Sequence, residues 1–277
     1  MRRDSKIVRK LSKYLSNETK NRLINVLSAF QLHKILFYFT FGRTSDRHDL
    51  VIHAPVIYST QNRKQIDAVE EAFKQVQGKK NYPAPFRLRF LNGMSGQAYR
   101  GFINSLIANL ENPTYLEIGI YRGSTLCSAM YRNRIRAIAI DNWSEFSGPI
   151  KNSLKNIMRF VGKSQSLSVI DSNFREFDFQ FLMNSVDLYF FDGPHSETDH
   201  YEGARVLSKI AKTSVIFIVD DWNWEAVRRG TIAGITDSNF QISYQTEVFT
   251  SGRNFFRYSR WHNGYTILVL ERQLASF

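Results

Sequence analysis

The sequence predicts an α/β fold: a doubly wound, mostly parallel, seven-stranded sheet with an antiparallel final strand, preceded by an N-terminal helical extension. Three observations predict it. After Tyr115, continuous apolar, β-rich runs alternate with helical segments, the pattern of parallel strands covered on both faces. The stretch Tyr115–Met130 passes from an apolar strand through Gly119 and Gly123 into a helix with small residues on one side, and a strand that stops at a glycine turn beneath a helix N-terminus makes a ligand crevice. Finally, nearly every strand of the alternation ends in an acid.

Residues 1–48 read as a basic extension of two helices, Ser5–Leu15 and Glu18–Phe41, with Asn17 as a cap between them. Arg2, Arg3, Lys6, Arg9, Lys10 and Lys13 make the first helix strongly basic, and Leu11, Tyr14 and Leu15 give it an apolar side. Such a helix can lie on an anionic membrane surface, although a docking helix with solvated lysines is the commoner form. Residues 49–92 read as a linker and accessory helix region. Leu50–Tyr58 is extended, and Pro55 makes it an edge strand. Gln65–Gln77 is an amphipathic helix with Ile66, Val69, Ala72, Phe73 and Val76 on one face, and Tyr82-Pro-Ala-Pro-Phe86 breaks the chain after it.

The main domain spans 93–277. Gly93-Met-Ser-Gly96 leads into a helix at Gln97–Leu110. Strands follow at Tyr115–Ile120, Ala137–Ile140, Leu167–Ile170, Val186–Phe191 and Val215–Val219, separated by helices at Ser124–Tyr131, Pro149–Val161, Phe177–Met183 and His200–Ile210. Trp222–Thr236 is the last helix. Gln241–Phe249 and Tyr265–Leu270 close the sheet, with Arg253–Asn263 between them as a hairpin-like excursion that makes the final strand antiparallel.

Composition narrows the classes. With 43% hydrophobic and 14% aromatic residues in 277, the chain has material for a large core. The formal charge of +12 favours anionic partners. A single cysteine, Cys127, excludes an intrachain disulfide and any multi-cysteine zinc site, and its place in a helix makes it a packing residue. No signal-peptide pattern is found, and Ile35–Phe41 is too short to span a bilayer, so a cytoplasmic protein, peripheral to the membrane at most, is expected.

In an open parallel sheet ligands bind beyond the carboxyl ends of the strands. Glu117 lies on the first strand of the alternation, Asp141 ends the second, Asp171 follows the third, Asp192 ends the fourth, and Asp220 with Asp221 ends the fifth. One such acid would be a turn or cap residue; so many along one edge point to binding. Asp141 suits ribose hydroxyls. The glycines do not follow Gly-x-Gly-x-x-Gly, and Tyr121 and Arg122 would crowd a pyrophosphate, so an acidic first turn suits a cationic, phosphate-free nucleoside, which describes S-adenosylmethionine. Asp192, Asp220 and Asp221 make a hard oxygen site of the kind Mg²⁺ prefers, unless Asp221 caps the helix starting at Trp222. His195, three residues after Asp192, is the general-base candidate. His200 reads as a surface residue, and Tyr201, Trp222 and Trp224 as pocket walls or, more cheaply, packing against the sheet.

The motifs Leu-Glu-Ile-Gly-Ile-Tyr-Arg-Gly-Ser (116–124), Ala-Ile-Asp-Asn-Trp (139–143), Phe-Phe-Asp-Gly-Pro-His (190–195) and Val-Asp-Asp-Trp (219–222) resemble those of class I S-adenosylmethionine-dependent methyltransferases, with their Rossmann-like fold. The last two are similar to the metal-dependent sugar O-methyltransferases of macrolide and aminocoumarin pathways. The resemblance covers roughly Gly93 to Arg272. It implies that Glu117, Gly119 and Gly123 hold the methionine part of the cofactor, with Ser124 in the same set, that Asp141 meets the ribose, and that Asp171 and Ser172 lie near the adenine. It also implies Mg²⁺ on Asp192, Asp220 and Asp221, and catalysis by His195 with Asp192 on a hydroxyl of a sugar or related small or glycan acceptor. The basic N-terminal region and the Arg253–His262 excursion depart from the family. A homo-oligomer and an anionic membrane surface met through the N-terminal helices complete the expected partners.

Two other readings compete. A nucleic-acid methyltransferase is motivated by the charge and by Arg253, Arg257, Arg260 and Trp261, interleaved with Phe255, Phe256 and Tyr258. A non-catalytic basic scaffold retaining the fold is the other, and the intact acids argue against it.

Overall fold

A nine-stranded mixed sheet organises the computed structural model, whose described residues are 50–78, 84–162, 165–250 and 261–273. All of them fall in one unit, His48–Phe277. The segments expected to form the N-terminal helices, and most of the expected Arg253–Asn263 excursion, lie outside the described residues.

The strands are β1 (Leu50–Ile52), β2 (Val56–Ile57), β3 (Thr114–Ile118), β4 (Ile135–Asp141), β5 (Gln165–Asp171), β6 (Val186–Phe191), β7 (Ala211–Asp220), β8 (Phe240–Thr250) and β9 (Tyr265–Arg272). They lie in the order β1-β8-β9-β7-β6-β3-β4-β5, with β2 also on β8. β3 to β7 are mutually parallel. β9 is antiparallel to both β7 and β8, as the excursion before it requires. The seven expected strands are therefore joined by two short ones. Pro55 has no N–H to donate and separates β1 from β2 at the outer edge, where both pair antiparallel with β8.

Side chains alternate across the sheet with period two and feed two hydrophobic clusters. Tyr115, Ala137, Phe190, Ile218 and Ile267 belong to the first, together with helices α1 (Arg63–Gly78) and α3 (Gln97–Ala108). Ile66, Val69 and Phe73 of α1 are buried there, each worth roughly 1.5–3 kcal/mol of burial. Leu116, Tyr189, Phe217 and Leu268 belong to the second cluster, on the opposite face. The expected amphipathic helix of residues 49–92 thus packs into the core, and the expected edge strand is split into two short ones.

The remaining helices are α2 (Phe86–Arg89), α4 (Ser124–Met130), α5 (Ile150–Met158), α6 (Glu197–Arg205), α7 (Leu207–Ile210) and α8 (Glu225–Thr236), with a 3-10 turn at Phe179–Leu182. α6 begins three residues before the expected His200. Ser196 and Asp199 form a capping box there: each side chain accepts the other's backbone N–H. In place of a helix at Phe177–Met183 the chain makes only the 3-10 turn, started by Asp178, whose carboxylate accepts the Gln180 N–H.

Two connections locate the crevice. From β3 the chain winds outward through β4 and β5 on one side, and through β6 and β7 on the other. The order reverses between β3 and β6, beyond whose ends lie Gly119 and Asp192, and that is where ligands bind in open α/β sheets.

Candidate functional site

The turn after β3 is held from two sides. Gly119 adopts φ +90°, and a Cβ there would lie 1.8 Å from the Asp192 carbonyl oxygen, so only glycine lets β3 and β6 come this close. Gly123, at φ +75°, is the left-handed residue that starts α4, and Ser124 follows it, buried. Asp141, at the end of β4, accepts backbone N–H groups from Ile120 and Tyr121 on Oδ2 at 2.7 and 2.8 Å, and from Trp143 on Oδ1 at 2.7 Å. Its carboxylate thus fastens the turn. The expected bidentate hold on a ribose would have to share oxygens already engaged. Trp143 in turn donates its indole N–H to the Tyr121 carbonyl at 2.9 Å.

Glu117 is fully buried beneath this turn. It accepts hydrogen bonds from the Tyr115 hydroxyl at 2.6 Å and from the Thr125 hydroxyl, so neither of these donors is a cation. Burial pushes its pKa up to about 7, against the pull of those two hydroxyls. Asp171 is exposed and Ser172 half-buried at the end of β5.

Across the switch point the acids gather. By the period-two rule Glu117, Asp192 and Asp220 continue the rows of Tyr115, Phe190 and Ile218, and so face one side of the sheet. Burial, then the charges of Asp220 and Asp221, pushes the Asp192 carboxyl well above the ordinary range; burial and Asp221 do the same to Asp220. Asp221 differs. Burial alone would raise its carboxyl, but His195 Nε2 at 2.7 Å and the Asn263 amide, donating at 2.6 Å, hold it low. His195 is moved in the complementary sense: partial burial lowers it, and the bond to Asp221 raises it above its ordinary value. Asp221, at φ +54°, does not cap the next helix with its side chain; α8 starts later, after Trp224.

Among the described residues two overlapping sets bring donor atoms within 4.8 Å of one another, Asp192, His195 and Asp221, and Asp220, Asp221 and His262; the expected trio Asp192, Asp220 and Asp221 is divided between them, with Asp221 shared. Carboxylate oxygens with one imidazole each suit a divalent cation, and two of the acids carry mutual repulsion that a cation would relieve. His262 was not anticipated as a donor. Its Nδ1 is buried without a hydrogen-bond partner, and its only mark in the sequence is its position just before β9.

Of the remaining candidates, His200 departs furthest from expectation. His200 is buried, its pKa pulled down to about 4 by burial and then by His195. The cause is the close packing of α6 on α8: a Cβ at Gly230 would lie 2.1 Å from the Glu197 carbonyl oxygen, so the start of α6, with His200, is pressed inward. Trp222 is buried and donates to Glu247 at 2.7 Å, and Tyr201 bonds Asp237. Of the three aromatics only Trp224 stands at the mouth, its ring 5.0 Å from that of His195. Trp261 is a core residue, stacked on Phe73 at 5.6 Å, and so not a base-stacking platform; the rest of the basic–aromatic run lies outside the described residues. Cys127 is buried and packs, as expected.

Arg100 escaped notice in the sequence. Buried in α3, it donates to the carbonyls of Leu88, Leu91 and Gly93 at 2.9, 2.9 and 3.2 Å and to the Ser95 hydroxyl at 2.9 Å. It thereby lays the 88–95 segment over the Gly119–Gly123 turn, where Ser95 and Ser124 hydroxyls meet at 2.7 Å.

Comparison with known proteins finds one family likeness in this region. Residues 116–222 match the family model described as a methyltransferase domain, a segment that runs from β3 to the end of β7 and contains the turn, Asp141, Asp192, His195 and the Asp220–Asp221 pair. This segment is therefore similar to a methyltransferase domain. No curated protein sequence matches. Among solved structures, an S-adenosylmethionine-dependent O-methyltransferase from Thermotoga maritima superposes with a TM-score of 0.47 at 12% identity, over 74% of this chain and 73% of its own. An O-methyltransferase from Bacillus cereus, in complex with SAH, gives 0.44 at 10% identity over 76% and 92%. A protein assigned as an RNA methyltransferase from Pyrococcus horikoshii gives 0.45 at 16% identity over 71% and 98%.

Proposed function

We propose that this chain is an S-adenosylmethionine-dependent O-methyltransferase that works with Mg²⁺ on a hydroxyl of a sugar or related glycan. The observation that supports it most is the set of carboxylates driven above the ordinary range, Glu117, Asp192 and Asp220, on one sheet face at the switch point. Acids at least partly buried, with no close basic partner, are costly, and a cationic cofactor and a divalent ion are the two charges that would relieve them.

In this reading Glu117 receives the cationic methionine end of the cofactor, Gly119 and Gly123 shape the turn around it, and Asp141 keeps that turn rigid. Asp171 and Ser172 border the adenine. Asp192, Asp220 and Asp221 would hold the metal, with His195 and His262 adjoining. When bound, a divalent ion lowers the pKa of an acceptor hydroxyl and stabilises the alkoxide. His195 takes the hydroxyl proton, Asp221 fixes the imidazole and stabilises the imidazolium, and Trp224 screens the pair from water. The sugar class of the acceptor rests on the likeness of the Asp-Gly-Pro-His and Asp-Asp motifs to sugar enzymes.

Calorimetry with S-adenosylmethionine, then with Mg²⁺, tests both halves. Binding of cofactor without metal, Mg²⁺ binding lost in Asp192→Asn and Asp220→Asn, and methyl transfer to glycan hydroxyls abolished by a chelator are the expected results. Full activity in the chelator would refute the metal, and salt-sensitive methylation of RNA would refute the acceptor.

A further inference from the structure

We propose that the outer faces of α2 and α5 form a docking surface for an anionic phospholipid bilayer. This goes beyond the reaction at the strand ends and does not depend on it. It also differs from the expectation that the N-terminal helices meet a membrane.

α5 carries three stripes of side chains. Ile150, Ser153 and Ile157 turn toward the core, the last two buried. Leu154 and Met158, one turn apart, lie beside that stripe yet remain 39% and 78% exposed. Lys151, Lys155 and Arg159 follow further round the helix at the same spacing, all exposed. With 3.6 residues per turn, the apolar arc of α5 is wider than the core it covers, and a basic row flanks the uncovered part.

α2 extends this surface. Phe86 and Phe90 are 68% and 74% exposed, their rings in edge contact at 5.1 Å. Arg87 sets its guanidinium 5.7 Å from the ring of Phe160, just beyond α5, and so joins the two helices. Exposed apolar groups clustered in this way mark an interaction surface.

Charge selects the partner. Residues 84–96 and 146–162 contain Arg87, Arg89, Lys151, Lys155 and Arg159 and not one Asp or Glu. Leu154 and Met158 have no π-face on which a base could stack, and Phe86 and Phe90 meet edge-to-face rather than as parallel platforms, which disfavours single-stranded nucleic acid. The centre of a protein interface is depleted of lysine, which disfavours a second copy of the chain. Aliphatic and aromatic tips beside cations fit the boundary between acyl chains and phosphate headgroups, with the tips immersed and the cations at the phosphates. No helix among the described residues is long and apolar enough to cross a membrane, so the seating is peripheral. The surface also borders the Gly119–Gly123 turn: Phe146 meets Tyr121 edge-on at 5.3 Å, and Asn156 donates to the Arg122 carbonyl at 3.0 Å.

The test is co-sedimentation of the full chain with vesicles of phosphatidylcholine alone and of phosphatidylcholine mixed with phosphatidylglycerol. The proteins compared are the wild type, Phe86→Ser/Phe90→Ser, Lys151→Gln/Lys155→Gln, and a variant with Arg2, Arg3, Lys6 and Lys10 neutralised. Thermal unfolding establishes that each is folded; the lysine pair is solvent-exposed and keeps the test open if the phenylalanine pair is not. The wild type is expected to bind the mixed vesicles only. Removing the phenylalanines should weaken binding about tenfold or more, and each lysine change about fivefold. The N-terminal variant should still bind. Three results would each overturn the proposal: wild-type binding by folded α2 and α5 variants, loss of all binding on N-terminal neutralisation, or no vesicle binding at all. Self-association or RNA binding that the same substitutions abolish, without vesicle binding, would reassign the surface.

Discussion

Glu117→Gln should make the protein more stable and less able to bind its cofactor. The buried carboxyl has its pKa raised from the ordinary 4.5 to about 7. Below pH 4.5 it is neutral in the folded and unfolded chains alike and costs nothing. Between that point and about 7 the unfolded chain releases its proton while the folded chain keeps it, so stability falls by about 1.4 kcal/mol for each pH unit. Above about 7 both forms are ionised, and the accumulated cost, on the order of 3 kcal/mol, stays constant. Glutamine removes the charge and retains the polar contacts, because its amide can accept from one of the Tyr115 and Thr125 hydroxyls and donate to the other. After imperfect geometry is allowed for, a gain of about 1–3 kcal/mol at pH 8 follows, or very roughly 2–10 °C in Tm. Thermal unfolding followed by circular dichroism from about pH 5 to 9 measures it. The wild-type Tm should fall across that range relative to the variant, and calorimetry should show S-adenosylmethionine binding weakened in the variant. Parallel pH profiles, or a variant less stable than wild type at pH 8, would refute the idea that Glu117 is a charge waiting for a cation.

Arg100→Met strands three main-chain carbonyls and should cost about 2–4 kcal/mol by denaturant titration, with protease cleavage appearing within residues 88–95. Gly119→Ala forces a methyl group against the Asp192 carbonyl at a backbone angle that alanine avoids. A lowered Tm and loss of cofactor binding by calorimetry should follow. His195→Ala should reduce turnover by roughly 10²–10⁴-fold while leaving cofactor affinity largely intact, and near-normal turnover would remove it from the mechanism.

Much of the sheet was legible because buried parallel strands are written as unbroken apolar runs; Val186–Phe191 emerges with the same boundaries in sequence and structure. The turn of residues 119–123 was legible for a similar reason: glycine is the residue that tolerates its geometry. What could not be read depends on contacts between distant segments. The burial of His200 arises from the approach of α8, about thirty residues on, and is invisible to the periodicity of α6 itself. Trp261 looked like part of a basic surface loop because its neighbours in sequence are arginines and aromatics, yet its partners in space, Phe73 and Phe102, sit on helices near the start of the domain. Arg100 is the clearest case. Nothing local separates it from a solvated helix residue, since its three carbonyl partners are backbone atoms that no sequence pattern marks.

The acids at the strand ends looked alike in the sequence, and the structure divides them by a single criterion: whether the negative charge is already answered. Asp141 has three backbone N–H groups, and Asp221 has an imidazole and an amide. Both have structural duties that explain their presence even without a ligand. Glu117, Asp192 and Asp220 are answered less fully: Glu117 by two hydroxyls, Asp220 by the Asp221 N–H at 2.7 Å, and Asp192 by the His195 imidazole only at 4.0 Å. Their carboxyls are driven upward by burial and, in the two aspartates, by neighbouring acids. A fold that needed these residues only for packing would be more stable with amides in their place. Charges kept at such a cost, at the point where strand order reverses, are explained by cationic occupants. On the proposed reading, the cofactor and metal functions should be separable. Amide substitution at Glu117 should impair the first and spare Mg²⁺ binding, whereas Asp220→Asn should do the opposite, because the two residues sit on strands divided by β6.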